Sequence, residues 1–143
     1  MRTPREVVLA WVDAFNCHDA HAAAALYHED AVNLQVPNGQ PVVGRDATLT
    51  AFLHIMQAFP DNSTRVVNLF EDGPWVIIDW EFSGTYVGAF QGNPPNGRTF
   101  KLQGCELFQV GIKVAYLGTQ RDLGVILEIF NGLPDGKQKP DAT

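Results

Sequence analysis

The chain has 143 residues, 45% of them apolar and 10% aromatic, and carries a formal charge of −6. That length suits one domain that buries about two thirds of its unfolded surface, with apolar area to spare for a pocket. An acidic chain with no run of Lys or Arg beyond two residues lacks the basic stripe that nucleic-acid binding requires.

The opening MRTPREVVLAWVDAF turns charged within two residues, unlike a signal peptide. No stretch approaches the ~20 apolar residues of a membrane span, so a cytoplasmic protein with no membrane partner is expected. Cys17 and Cys105 lie outside any CxxC spacing and read as reduced thiols.

In chain order, Thr3, Pro4 and Glu6 form a capping box opening a helix over 4–16, with Val7, Trp11 and Phe15 recurring along one face. Asp19 is placed to cap an alanine-rich second helix reaching about Tyr27, and AVNLQV (31–36) alternates as a strand. Asp46 is expected to cap a third helix whose Phe52, Ile55, Met56 and Phe59 share a face. Long β-branched and aromatic segments follow, at 65–70, 74–88, 97–110 and 112–120. A short helix over 122–130 closes the domain, and 135–143 is a loose polar tail. Helices first and strands later define an α+β domain at 1–134, with helices covering one face of a curved antiparallel sheet.

The pieces DAFNCHD, YHEDAVNLQVPNG, VVGRDA, GPWVIIDWEFSGTYVGAFQGNPPNGRTF and DLGVILEIFNGLP occur in this order over roughly residues 6–134. In that arrangement the chain resembles the nuclear-transport-factor-2-like superfamily, and more narrowly the SnoaL-like polyketide cyclase family. The resemblance implies a cone-shaped α+β barrel around a deep apolar pocket, commonly in a homodimer. It also implies cofactor-free, metal-free ring closure by intramolecular aldol condensation, with an acidic residue on the last strand. That family ends its last strand in a pattern like His-Trp-Asp-x-x-Asp. Here the second aspartate falls on Asp122 and the first on Thr119, which cannot accept a proton as a carboxylate does.

Asp122 is both a natural N-cap and a candidate acid or base. Glu106, in GCELFQV, aligns where the family often directs His or Asp into the pocket; burial would push a carboxyl there toward the range useful for acid/base work. Its plainer reading is an outward strand residue paired with Lys or Arg. Asp79 and Glu81 share one strand face, either as a coupled pocket pair or, by the usual apolar-in, polar-out pattern, on the solvent side. His28 is either a proton shuttle and oxygen ligand or a helix-terminal histidine. Asn33 is a candidate amide for a substrate carbonyl. Ketosteroid isomerases resemble this chain at the level of fold, but Gln35 stands where they carry their base on the first strand.

His18, Asp19 and His21 place two histidines three apart, yet no third ligand at metal spacing is evident. GTYVGAFQGNPPNG lacks the ending of a phosphate loop and reads as a mobile flap at the mouth of the cone. Trp11, Phe15, Tyr27, Phe52, Met56, Phe59, Trp80, Tyr86 and Phe90 are assigned to core or pocket wall, with Thr119 a further substrate-binding candidate. The expected function is a cyclase or isomerase acting on a small apolar or polycyclic carbonyl compound. A hydrolase or hydroxylation-type relative, or a ligand-binding domain that kept the fold and lost the acid, are the alternatives.

Overall fold

The computed structural model describes residues 2–35, 41–111 and 115–120; Leu34, Gln35 and 115–120 are described as backbone alone. Asp122, the closing helix and the tail lie outside the described residues.

Helix α1 (Pro4–Asn16) opens on the expected capping box: the Thr3 hydroxyl accepts from Glu6 N–H, and Glu6 accepts from Thr3 N–H at 2.8 Å. Its Val8, Trp11, Val12 and Phe15 are buried. Helix α2 (Ala20–Ala25) is capped by Asp19, which accepts from Ala22 N–H at 2.9 Å. Helix α3 (Arg45–Ala58) differs from expectation: Gly44 is its N-cap, at φ 95°, and Asp46 lies inside the first turn. There its charge still complements the helix dipole. Gly44 suits the site because its backbone turns left-handed beside the Glu29 carbonyl, where a side chain would be strained.

Six strands form one sheet in the order β2-β1-β6-β5-β4-β3, where β1 is Val32–Gln35, β2 Pro41–Val43, β3 Ser63–Asp72, β4 Trp75–Thr85, β5 Thr99–Gln109 and β6 Ala115–Gln120. Every pairing is antiparallel except β1 with β6. A register shift between Val66 and Asn68 marks a bulge in β3, a device that bends a strand. Strand β2 was not legible from its three residues.

The helices cover the face from which Val76, Ile78 and Trp80 of β4 and Leu102 and Phe108 of β5 project. Trp11 packs on Phe15, Phe52 and Phe108 with ring centroids 4.9, 6.4 and 5.3 Å apart, and Phe52 also meets Tyr27 at 5.7 Å. A second cluster of Ala58, Phe59 and Tyr86 packs with Phe82, Phe90 and Phe100.

The segment following β4, expected as a mobile flap, is pegged to the end of α3. Val87 and Gly88 N–H both donate to the Ala58 carbonyl, and the Tyr86 hydroxyl donates to the Asn93 carbonyl at 2.6 Å. Gly88 approaches the Gln57 backbone so closely that a Cβ would collide with it.

Candidate active site

Glu106 sits mid-strand on β5, and its side chain points into the core: it is 4% exposed, the one buried carboxylate among the described residues. The alternation of β5 explains this, since Leu102, Gly104, Glu106 and Phe108 are buried while, on the other parity, Lys101 and Gln103 are exposed and Cys105 and Leu107 half-buried. Across the ladder Glu106 faces Ile78 on one side and Gly118 on the other. Trp80 lies over Gly104, two residues back, where a Cβ would overlap its ring. The carboxylate therefore has a wall of rings along its own strand and a bare glycine on the neighbouring one.

Two further polar groups are buried. Asn33 of β1 is 6% exposed and pairs with Tyr116, which pairs with Phe108; this puts Asn33 two rungs from the Glu106 row, with β6 between their strands. Its Oδ1 has no hydrogen-bond partner among the described residues.

Tyr27, at the exit of α2, is 2% exposed. Arg45 Nε donates to its carbonyl at 2.7 Å, and Tyr27 N–H donates to Ala24, so the start of α3 and the end of α2 fix its backbone together. Burial raises its phenol well above the ordinary tyrosine value, and the negative charge of Glu106 raises it further. The indole edge of Trp11 opposes part of the rise, without giving the phenol oxygen a hydrogen bond of normal geometry. A cavity of about 10 Å³ lies against Val7, Val8, Trp11, Leu26, Tyr27, Phe108 and Val110, and is bounded by apolar atoms.

Of the residues singled out from sequence, the structure brings Trp11, Phe15, Phe52, Met56 and Trp80 into or against one core cluster, and it buries Glu106 and Asn33. Tyr86 and Phe90 belong with the second cluster around Phe59. Thr119 lies on β6 opposite Cys105, one rung from the Glu106–Gly118 pair. Asp122 is outside the described residues.

His28 is exposed, which corrects the expectation that it reaches the pocket; the chain leaves α2 so that Tyr27 turns inward and His28 outward. Sequence reasoning gave Tyr27 no polar role, although its place directly before His28 in YHED was the available signal. Asp79 and Glu81 are half-buried on the opposite face from Trp80. Asp79 accepts from Asn68 at 3.2 Å. Glu81 lies 3.4 Å from Lys101 and 3.6 Å from Arg65; partial desolvation works to raise its carboxyl, but the two cations more than offset this and hold it low.

Among the described residues no three His, Cys, Asp or Glu side chains are grouped to hold a metal. In HDAH, His18 Nε2 meets the Asn62 carbonyl at 2.8 Å and Asp19 is spent on its cap. No described helix is long and apolar enough to cross a membrane.

This architecture is that of the nuclear-transport-factor-2-like folds. A crystal structure assigned to the SnoaL-like polyketide cyclases, from Jannaschia sp. CCS1, superposes with a TM-score of 0.79 at 19% identity, covering 94% of this chain and 99% of that one. AclR of Streptomyces galilaeus, assigned as a hydroxylase, superposes at 0.78 with 20% identity, covering 94% and 85%. The profile of the SnoaL-like polyketide cyclases matches residues 5–111, and the chain belongs to that family. Aklanonic acid methyl ester cyclase DnrD of Streptomyces peucetius is 28% identical over 134 residues, which span 87% of this chain and 92% of the relative.

Proposed function

We propose that the protein is a cofactor-independent cyclase or isomerase that moves a proton next to a carbonyl of a bulky apolar metabolite, with Glu106 as the acid/base. The observation that carries this reading is a carboxylate buried among aromatic rings in a cyclase family. Burial disfavours the charged carboxylate, so a proton taken from substrate is readily held and returned. The name of the Streptomyces peucetius relative supports ring closure on a polyketide ester as the reaction type.

The steps balance without a co-reactant. Glu106 carboxylate removes a proton from the carbon α to a ketone, and the resulting enolate carbon forms a bond to a second carbonyl carbon. The protonated Glu106 then returns its proton to the new alkoxide. Asn33, after an amide flip that directs its N–H inward, stabilises the enolate oxygen. Asp122, the other carboxylate the sequence offers for this proton transfer, lies outside the described residues and is the alternative to Glu106.

Conversion of an aromatic polyketide ester bearing a ketone side chain tests the reading. Ring-closed product should form without uptake of label from oxygen-18 water, and Glu106→Gln should slow turnover by about 10²–10⁴-fold. Label in the product would favour the hydrolase or hydroxylation reading, and full turnover by Glu106→Gln would overturn the assignment.

Thr119 in the place of the family's acid favours a second reading, a binding domain without chemistry. Recovery of a bound ester unchanged after long incubation would support it. A second copy of this chain is the macromolecular partner we propose, docking on the outer sheet face where Phe70 is 60% exposed beside Val67, Trp75 and Ile77.

A further inference from the structure

Tyr27 poses a physical problem that the acid/base reading leaves unsolved. A fully buried hydroxyl with no partner costs about 1–3 kcal/mol, and phenylalanine would fill the same space without that cost. In folded proteins such a group calls for an explanation. The neighbouring cavity does not supply one, because it meets the ring's apolar side and offers a water no polar anchor. Glu106 is close enough to act on the phenol by charge, yet the hydroxyl has no hydrogen-bond partner among the described residues. The backbone of Tyr27 is clamped from two helices, so the ring is held rather than accidentally trapped.

We infer that the Tyr27 hydroxyl is a substrate-positioning donor, held ready to hydrogen-bond the carbonyl oxygen of a ligand brought up to Glu106. This deepens the acid/base reading and rests on it. The neutral phenol is the form that donates, and the surroundings keep it neutral: burial and the adjacent carboxylate both oppose its ionisation. Three buried polar groups on three elements, Tyr27 after α2, Asn33 on β1 and Glu106 on β5, thus bracket the reacting carbonyl. Glu106 works at the carbon beside it and Tyr27 at its oxygen.

The test uses the full chain, Tyr27→Phe, and a probe pair of nearly equal shape: 9-fluorenone, which carries a carbonyl, and fluorene, which does not. Fluorenone has no proton α to its carbonyl on a saturated carbon, so binding is read apart from turnover. Titration followed by tryptophan fluorescence should show wild type preferring fluorenone by roughly tenfold, the worth of one hydrogen bond. Tyr27→Phe should bind the two equally, with a melting midpoint unchanged or raised. A fluorenone preference that survives in Tyr27→Phe would overturn the inference, as would a wild type that binds neither probe. A fall of several degrees in the midpoint would also overturn it, because the hydroxyl would then be a structural bond. If the preference survives while Glu106→Gln loses catalysis, the positioning role fails and the acid/base reading stands.

Discussion

A methyl group on residue 104 would have to occupy space already held by the six-membered ring of Trp80. The absence of a side chain there lets the indole pack directly against the β5 backbone, two residues from Glu106. Gly104→Ala should therefore destabilise the fold by about 1–3 kcal/mol, the usual cost of overpacking, as read by urea unfolding. Glu106 itself was legible because one carboxylate in a run of Gly, Leu, Phe and Val on a central strand has few ways to stay solvated. Alternation settles its side: Phe108 and Leu102 share its parity and are buried. His28 and Tyr27 were harder. They are adjacent at a helix exit, where no period applies, and only the tertiary clamp from Arg45 decides which faces in.

At the scale of elements, the cap sequences told most. Thr3 with Glu6, and Asp19, specify two helix starts locally, whereas the start of α3 depends on Gly44 bonding back to Ala31, a contact no local pattern encodes. The join of α1 to β3 is of the same kind. The Asn16 side chain both accepts from Thr64 N–H at 2.7 Å and donates to the Thr64 carbonyl at 2.9 Å, imitating a strand edge. Asn16→Ala should cost about 1–3 kcal/mol in thermal or chemical unfolding, because both half-buried backbone groups lose their partner.

Asp61 performs a similar service at the end of β4. It accepts from the Thr85 hydroxyl at 2.6 Å and from Thr85 N–H at 2.8 Å, and these bonds, the hydroxyl's foremost, hold its carboxyl below the ordinary aspartate value. A depressed folded value means a contribution fully present above roughly pH 4 and lost as pH falls through the folded value. Melting curves of Asp61→Asn and wild type should accordingly differ at pH 6 and converge in strong acid; an equal gap at both would contradict the assignment.

Across the whole molecule, the sheet divides two environments. Its covered face holds most of the described aromatic residues and the buried Glu106, while its outer face shows Phe70, Val67, Trp75 and Ile77 beside charged Arg65, Glu81 and Lys101. Phe70 and Ile77 are direct ladder partners, so the apolar strip is continuous across β3 and β4. If a second copy covers it, Phe70→Glu should shift sedimentation from dimer to monomer without loss of helical signal. A wild type that sediments as a monomer at high concentration would remove that partner. The sheet's general architecture was readable from the order of patterned segments. The parallel pairing of β1 with β6 was not, because it joins residues some eighty positions apart and leaves no local trace.

Exchange of α-hydrogens in heavy water tests the central claim, that a buried Glu106 moves protons beside a carbonyl, most directly. With 2-acetylnaphthalene as the ketone, wild-type protein should accelerate deuterium uptake at the methyl group well above buffer, followed by mass spectrometry. Glu106→Gln should lose about 10²–10⁴-fold of that acceleration. Equal exchange by the two proteins, or none above buffer for wild type, would contradict the account.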